Sequence, residues 1–143
     1  MKKFTALALC IMMIFSLVAI PVAASDGTIT PRYNNVVNTN TIFSISDTGV
    51  ATVRIGYEGI SGTTTGVTIT TKIQKRSLGF IWTKIDIGTS NNEWVDTATS
   101  AYYSTTHSVT LPDTGTYRVV VNYEISGTGG ATDEIEDTYT AEY

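Results

Sequence analysis

His107 is the only histidine in this sequence of 143 residues, so it is the first candidate for acid–base chemistry. Nucleophilic catalysis needs a nucleophile, a base within hydrogen-bond reach and a group that orients the base. His107 lies in THSVTL, in phase with Val109 and Leu111, which indicates the edge of a core-facing surface. The sequence has no Gly-x-Ser-x-Gly motif, and Cys10 lies in an N-terminal apolar run. We therefore expect His107 to be structural and predict no catalytic residue.

A run of carboxylates, DEIED at residues 133–137, is the candidate for metal binding, since calcium needs only oxygen ligands. If the run is a strand, Asp133 and Asp137 point to the face opposite Glu134 and Glu136, so the four carboxylates do not converge on one ion. We favour a solvated edge strand protected by charge, and we predict no metal and no cofactor. The other acids lack the paired setting of a glycosidase, so we also predict that the protein is not an enzyme.

Two groups of aromatic residues are candidates for a binding surface. The first, the basic-aromatic patch, consists of Lys72, Lys75, Arg76, Phe80, Trp82 and Lys84. It suits an anionic wall polymer or a glycan, but we favour a solvated hairpin whose rings belong to the core. The second is AYYS at residues 101–104, with Trp94 nearby. Because adjacent strand residues face opposite ways, at least one of Tyr102 and Tyr103 is expected to be exposed, although tyrosines more often anchor loops.

The stretch TLPDTGTY, residues 110–117, contains LPDTG, which matches the pattern of a sortase signal. Such a signal also needs an apolar membrane-retained stretch and a basic tail. Here the residues that follow are rich in acids, and their longest apolar run is Val119–Val121. Pro112 presets φ for a turn, Asp113 can bond backbone N–H groups, and Gly115 can adopt a positive φ. We therefore predict a turn between two strands.

The start of the sequence has the features of a signal peptide. Lys2 and Lys3 precede an apolar run from Phe4 to Ile20, and Val22-Ala23-Ala24 supplies small residues for cleavage. Removal of residues 1–24 would leave 119 residues, enough for one hydrophobic core. The exported chain would carry 7 basic residues against 13 acidic ones, a net charge of −6. This balance argues against binding to nucleic acid or, once the signal is removed, to a membrane, and Cys10 would leave with the signal.

Strict alternation of apolar and polar residues recurs along the exported chain, and no stretch has a helical period. The predicted inward rows are Ala51, Val53, Ile55 and Tyr57; Val67, Ile69, Thr71 and Ile73; Tyr117, Val119, Val121, Tyr123 and Ile125; and Ile135, Tyr139, Ala141 and Tyr143. Weaker strands are predicted near 40–46, 80–87, 92–98 and 105–111. About eight short strands predict an all-β fold, a single antiparallel two-sheet sandwich. We assign residues 25–39 to a flexible N-terminal arm and 40–143 to the sandwich domain.

The segment Asp-x-Gly-x-Tyr at 113–117 resembles the immunoglobulin-type E–F corner. This resemblance implies that Tyr117 opens strand F and that its hydroxyl bonds back to the turn backbone. Val119 stands where antibody domains have a disulfide cysteine. An immunoglobulin-like sandwich would also make 58–66 and 126–133 its B–C and F–G loops, which cluster at one end and form a candidate contact site.

The whole chain resembles a loose group of small exported proteins of unknown function from Gram-positive anaerobes. The likeness lies in a signal peptide, a PRYNN-like start, SISDTGVATVRIGYEG, TTKIQKRSLGFIWTKIDIGTS and GTYRVVVNYEISGTGG. These motifs are structural and carry no ligand residues to transfer.

We expect a secreted, non-enzymatic binding or adhesion module, extracellular and loosely associated with the cell surface. A surface glycan, a wall polymer or a protein is the candidate partner. A self-assembling structural surface protein and a secreted bacteriocin-like effector are the alternatives.

Overall fold

The computed structural model describes residues 33–143, which form eight β-strands and, within that range, no helix. The strands are β1 (Val36–Ile45), β2 (Val50–Gly59), β3 (Thr64–Ser77), β4 (Ile81–Lys84), β5 (Trp94–Ala98), β6 (Tyr102–Thr110), β7 (Thr116–Gly127) and β8 (Asp133–Glu142). The predicted all-β class is confirmed, with eight strands in two antiparallel sheets. The predicted signal peptide, residues 1–24, lies outside the described residues.

A three-stranded sheet has the order β1-β2-β6, and a five-stranded sheet has the order β4-β3-β7-β8, with β5 also pairing with β3. β3 is 14 residues long and pairs with β5 through 67–71 and with β4 through 74–77, so both short strands lie along one edge of β3. β1 and β6 are the edges of the three-stranded sheet, and β8 is an edge of the five-stranded sheet.

The inner faces of both sheets form the core, and they follow the predicted alternation. The inward residues of β2, β3 and β7 are at most 5% exposed, namely Ala51, Val53, Ile55, Tyr57, Val67, Ile69, Thr71, Ile73, Tyr117, Val119, Val121, Tyr123 and Ile125. Burial of these apolar side chains supplies the main stabilisation of the fold. The hydroxyl of Thr71 is buried there without a hydrogen-bond partner among residues 33–143. The prediction for β8 is less accurate, because Tyr139 is 46% exposed.

Aspartates on edge strands tie the two sheets together at both sides of the sandwich. On one side Thr41 of β1 donates a 2.8 Å hydrogen bond to Asp137 of β8 and shares a 2.7 Å bond with the hydroxyl of Tyr123 on β7. On the other side Asp96 of β5 contacts His107 of β6 at 2.7 Å. Inward-pointing charge on edge strands also opposes pairing with further strands.

The predicted boundary between a flexible arm, 25–39, and the domain at residue 40 does not match the strand assignment. β1 begins at Val36, and Asn35 before it is fully buried. Asp133 accepts bonds from the backbone N–H groups of Asn34 and Asn35, at 2.9 and 2.6 Å. The side chain of Asn35 donates to the carbonyls of Ile125 and Ala131, at 3.3 and 2.8 Å. Residues 33–39 therefore belong to the sandwich, and residues 25–32 lie outside the described part.

Candidate functional site

The outer face of the three-stranded sheet carries a groove with a volume of about 270 Å³. Because alternate residues of β2 fill the core, Arg54, Gly56 and Glu58 point outward. The strand register places Asn40 of β1 and Ser104 of β6 on either side of Gly56. Since Gly56 has no side chain, the floor of the groove is low at its centre.

Charged and apolar groups lie at the two ends of this groove. Arg54 pairs with Ile42 of β1 at one end, and Glu58 pairs with Tyr102 of β6 at the other. Ile42 is 52% exposed, and Tyr102 is 68% exposed. The groove therefore combines a cation, an anion and two exposed apolar surfaces.

The polar side chains of the groove are available to a ligand. Asn38, Asn40, Arg54, Glu58 and Ser104 are all exposed. Within residues 33–143 none of these side chains makes a hydrogen bond or an ion pair with another protein group. Their donors and acceptors face solvent above the sheet.

The two adjacent tyrosines point to opposite faces of β6, as predicted. Tyr103 is half-buried, and its hydroxyl donates a 3.0 Å hydrogen bond to Asp96. Burial, and next the bond to the Asp96 carboxylate, raise the pKa of Tyr103. Tyr103 thus anchors β6 to β5, whereas Tyr102 projects beside the groove.

His107 has a structural environment. Its imidazole stacks on Trp94 with the ring centroids 4.8 Å apart and the planes at 8°, and its Nε2 contacts Asp96 at 2.7 Å. The residues in contact with it join β5 to β6, and no serine or threonine hydroxyl among residues 33–143 bonds its ring. Asp96 and His107 are thus arranged like the carboxylate and the base of a catalytic triad, but no nucleophile among residues 33–143 completes the triad. The pair holds β5 and β6 together.

The basic-aromatic patch is divided in the structure, and its rings are not core, contrary to our expectation. Phe80 is 75% exposed at the tip of the β3–β4 hairpin. Trp82 lies on the outer face of the five-stranded sheet, with the guanidinium carbons of Arg76 and Arg118 at 5.8 and 4.4 Å from its ring centroid. Because Arg118 is on β7 and β3 lies between, the indole ring reaches across β3. The alternation pattern indicated the outward face of Arg118 but not this contact.

Two of the predicted patch cations are engaged elsewhere. Lys75 forms an ion pair with Asp113, and Lys84 forms one with Glu93 at 2.9 Å. The patch residues therefore do not converge on one ligand position around Trp82.

The run DEIED separates onto two faces of β8, as the alternation predicted. Asp133 and Asp137 point toward β1, where they accept the hydrogen bonds described above. Glu134 and Glu136 are exposed on the outer face. In the part of the chain that the structure describes, no three His, Cys, Asp or Glu side chains are grouped to hold a metal ion.

The two Gly- and Thr-rich loops meet at one end of the sandwich. The N–H of Thr128 donates a 2.9 Å bond to the carbonyl of Thr63. Asn35 lies between the loops, because its backbone carbonyl accepts from Ile60 N–H and its side-chain oxygen accepts from Gly129 N–H. A Cβ on Gly129 would lie 2.1 Å from the Asn34 carbonyl oxygen, so this position requires glycine. The two loops are therefore held together at their bases, while Ser61, Gly62 and Gly130 at their tips are exposed.

LPDTG forms the predicted turn before β7. The hydroxyl of Tyr117 donates to the backbone carbonyl of Asp113 at 2.7 Å, and Gly115 has a φ of 149°. Hydrogen bonds from Lys75 and then from Tyr117 lower the pKa of the Asp113 carboxyl. Burial, followed by the bond to Asp113, raises the pKa of Tyr117 to about 12. The hydroxyl contact implied by the E–F corner resemblance is present.

Comparison with known proteins gives no relative: no family model matches the sequence, and no curated protein or solved structure is similar enough to count as a match. Among residues 33–143 there is no helix of the length and apolar character needed to cross a bilayer.

The sequence interpretation missed the groove, although part of its signal was present. In VRIGYE the outward positions of β2 read Arg54, Gly56 and Glu58, a gap between two opposite charges. The pairing of β2 with both β1 and β6 was needed to show that Asn40, Ser104 and Tyr102 surround this gap.

Proposed function

We propose that the protein is an exported, non-enzymatic binding module that recognises a neutral glycan in the groove of the three-stranded sheet. The observation that carries this proposal is the exposed ring of Tyr102 next to polar side chains that have no partner among residues 33–143.

An exposed tyrosine beside a polar groove suits the chemistry of sugars. A pyranose ring offers an apolar C–H face and a rim of hydroxyls, and an aromatic ring with an apolar body and a polar edge matches both. Ile42 supplies a second apolar contact at the other end of the groove. Such contacts exclude water from the hydroxyls that bond the groove floor.

The polar groups of the groove suit vicinal hydroxyls. The amide side chains of Asn38 and Asn40 can both donate and accept hydrogen bonds, whereas the guanidinium of Arg54 can only donate and the carboxylate of Glu58 can only accept. Arg54 and Glu58 are four residues apart on β2, about 13 Å at 3.3–3.4 Å per residue. The groove is therefore long enough for a short oligosaccharide.

The charges of the groove favour a neutral ligand over an anionic wall polymer. Arg54 and Glu58 contribute one charge of each sign, so the groove does not concentrate polyanions. The hydroxyls of a neutral glycan can accept from Arg54 and donate to Glu58, and these hydrogen bonds would replace those of the water that the ligand displaces.

The export and the finer fold class belong to the same proposal. The signal-like start and the resemblance to exported proteins of Gram-positive anaerobes support secretion with loose surface association. The strand orders β1-β2-β6 and β4-β3-β7-β8 have the same sequence of neighbours as the A-B-E and C′-C-F-G orders of immunoglobulin-like sandwiches, which supports that class.

The experiment is a binding titration with soluble neutral oligosaccharides built from glucose or from N-acetylglucosamine. We expect Tyr102→Ala to weaken binding at least about tenfold, because it removes the apolar contact with the sugar face. Tyr139→Ala is the matched control, since Tyr139 is also exposed but lies on β8 of the other sheet. Equal affinity of the Tyr102→Ala variant and the wild type would contradict the proposal.

A further inference from the structure

The tip of the β3–β4 hairpin, residues 77–81, is the most exposed apolar feature among the described residues. Leu78 is 80% exposed, Phe80 is 75% exposed and Ile81 is 43% exposed. Three large apolar side chains in four successive residues face solvent here. This surface is separate from the groove, which lies on the other sheet.

Leu78 has an unfavourable backbone conformation as well as an exposed side chain. Leu78 has a φ of 52° and Gly79 has a φ of 81°, as both central residues of a type I′ turn require. Asn, Asp and Gly are the residues that adopt this conformation readily, whereas leucine does so at a cost. A residue that is unfavourable for the turn and contacts little of the protein points to an external contact.

Basic side chains adjoin the tip on the outer face of the five-stranded sheet. Arg76 and Lys84 flank the tip, and the alternation and register of the strands put Lys72 and Arg118 on the same outer face. The acidic residues Glu124, Glu134 and Glu136 of this face lie toward its opposite end, whereas Glu142 lies at the tip end beside Thr116 and Glu93 pairs with Lys84. Lys72, Arg76 and Arg118 outnumber Glu142 at the tip end, so this end of the face keeps an excess of positive charge.

We propose that the hairpin tip inserts into the interface of a lipid bilayer that contains anionic headgroups. Leu78 and Phe80 would enter the headgroup and acyl boundary, where apolar and aromatic side chains are stabilised. Arg76 and Lys72 would contact the anionic headgroups.

The net charge argued against a membrane partner, but it averages over the whole molecule. The tip end of the face has an excess of cations, and Glu124, Glu134 and Glu136 lie far enough along the strands to remain in solvent. A second copy of the chain fits the tip less well. The acidic end of the same face would complement the cations near the tip, but its carboxylates, Glu124, Glu134 and Glu136, offer no apolar contact to Leu78 and Phe80. A bilayer supplies both the anionic and the apolar contact.

The test is flotation with vesicles of phosphatidylcholine alone and of phosphatidylcholine mixed with phosphatidylglycerol, using the protein without its predicted signal peptide. We expect the wild type to float with the mixed vesicles, and the bound fraction to fall as salt is added. The double variant Leu78→Asn, Phe80→Thr should reduce the partition coefficient at least about tenfold. Asn suits the positive φ of the turn, so we expect the variant to keep the fold, and its urea denaturation midpoint checks this.

The matched control is the double variant Val37→Thr, Val95→Thr, which removes two exposed apolar side chains on β1 and β5 and should float like the wild type. Failure of the wild type to float, or equal flotation of the tip variant, would overturn the proposal. Sedimentation without lipid tests the alternative that the tip binds a second copy of the chain. Self-association that is abolished in the tip variant would assign the tip to contacts between copies and would also overturn the membrane proposal.

Discussion

At the residue scale, two tyrosine hydroxyls of β7 hold backbone segments in place, one near in the chain and one distant from it. Tyr117 holds the turn at Asp113, and Tyr123 donates to the carbonyl of Asn40 at 3.1 Å while it shares a bond with Thr41. Both phenols are fully shielded residues of β7, and burial is the first cause that raises their pKa to about 12. The bonds that the two phenols donate to the carbonyls of Asp113 and Asn40 are lost when the phenols ionise.

These two tyrosines predict a loss of stability in alkali. An unfolded tyrosine has a pKa of about 10, and the folded pKa of about 12 is higher, so the unfolded chain releases its protons first. The contribution to the free energy of unfolding is complete below pH 10 and is lost as pH rises toward about 12. Denaturant titrations across this pH range measure the effect.

The double variant Tyr117→Phe, Tyr123→Phe is the control for the alkaline titration. It should be less stable at neutral pH, by about 1 kcal/mol for each hydrogen bond, and its stability should fall less steeply in alkali. An alkaline slope identical to that of the wild type would show that other groups cause it.

At the scale of elements, aspartates on β5 and β8 hold the edge strands against the opposite sheet. Asp133 is 6% exposed and accepts two backbone N–H bonds from the segment before β1. Asp96 accepts from Tyr103 and contacts His107. The edge strands β5 and β8 therefore each have polar contacts with the opposite sheet or the segment that precedes it, in addition to the apolar core.

Substitution of Asp133 tests this role of the edge contacts. Asp133→Asn replaces one acceptor oxygen by an NH₂ group that faces a backbone N–H, and we expect a loss of about 2 kcal/mol in the free energy of unfolding. Glu134→Gln on the exposed face of the same strand is the matched control and should stay within about 0.5 kcal/mol of the wild type. Urea denaturation with an unchanged m-value measures both.

Equal midpoints for the two β8 variants would contradict the assigned role of Asp133. Hydrogen exchange gives a second reading, since the amides of Asn34 and Asn35 should lose protection in Asp133→Asn and keep it in Glu134→Gln.

At the scale of the whole molecule, the strands and their inner faces could be predicted because the side-chain direction in a strand has a period of two. Val53, Ile69 and Val121 were assigned to the core on this ground alone. The period does not specify which strands are neighbours, and the contacts that depend on neighbours were missed. Asn35 bonds Gly129 across 94 residues, and the ring of Trp82 reaches Arg118 on a strand two positions away.

The candidate site, too, could be predicted only in part, because it depends on which strands are neighbours. The exposure of Tyr102 followed from the tyrosine pair, whereas the groove arises from a missing side chain, at Gly56, between two neighbouring strands. Its ligand face requires that Asn40, Gly56 and Ser104 lie in one row across three strands. Local sequence patterns contain no information about such a row.

The most direct test of the proposed function is an NMR titration of the protein with the neutral oligosaccharides named above. We predict that the largest amide shift changes fall on Asn38, Asn40, Arg54, Gly56 and Tyr102, which surround the groove. The amides of the hairpin tip, 77–81, should change little, because the tip lies on the other sheet. Changes confined to the tip or to the loop residues around Thr63 and Thr128, or saturation without any change in the groove, would contradict the proposed function.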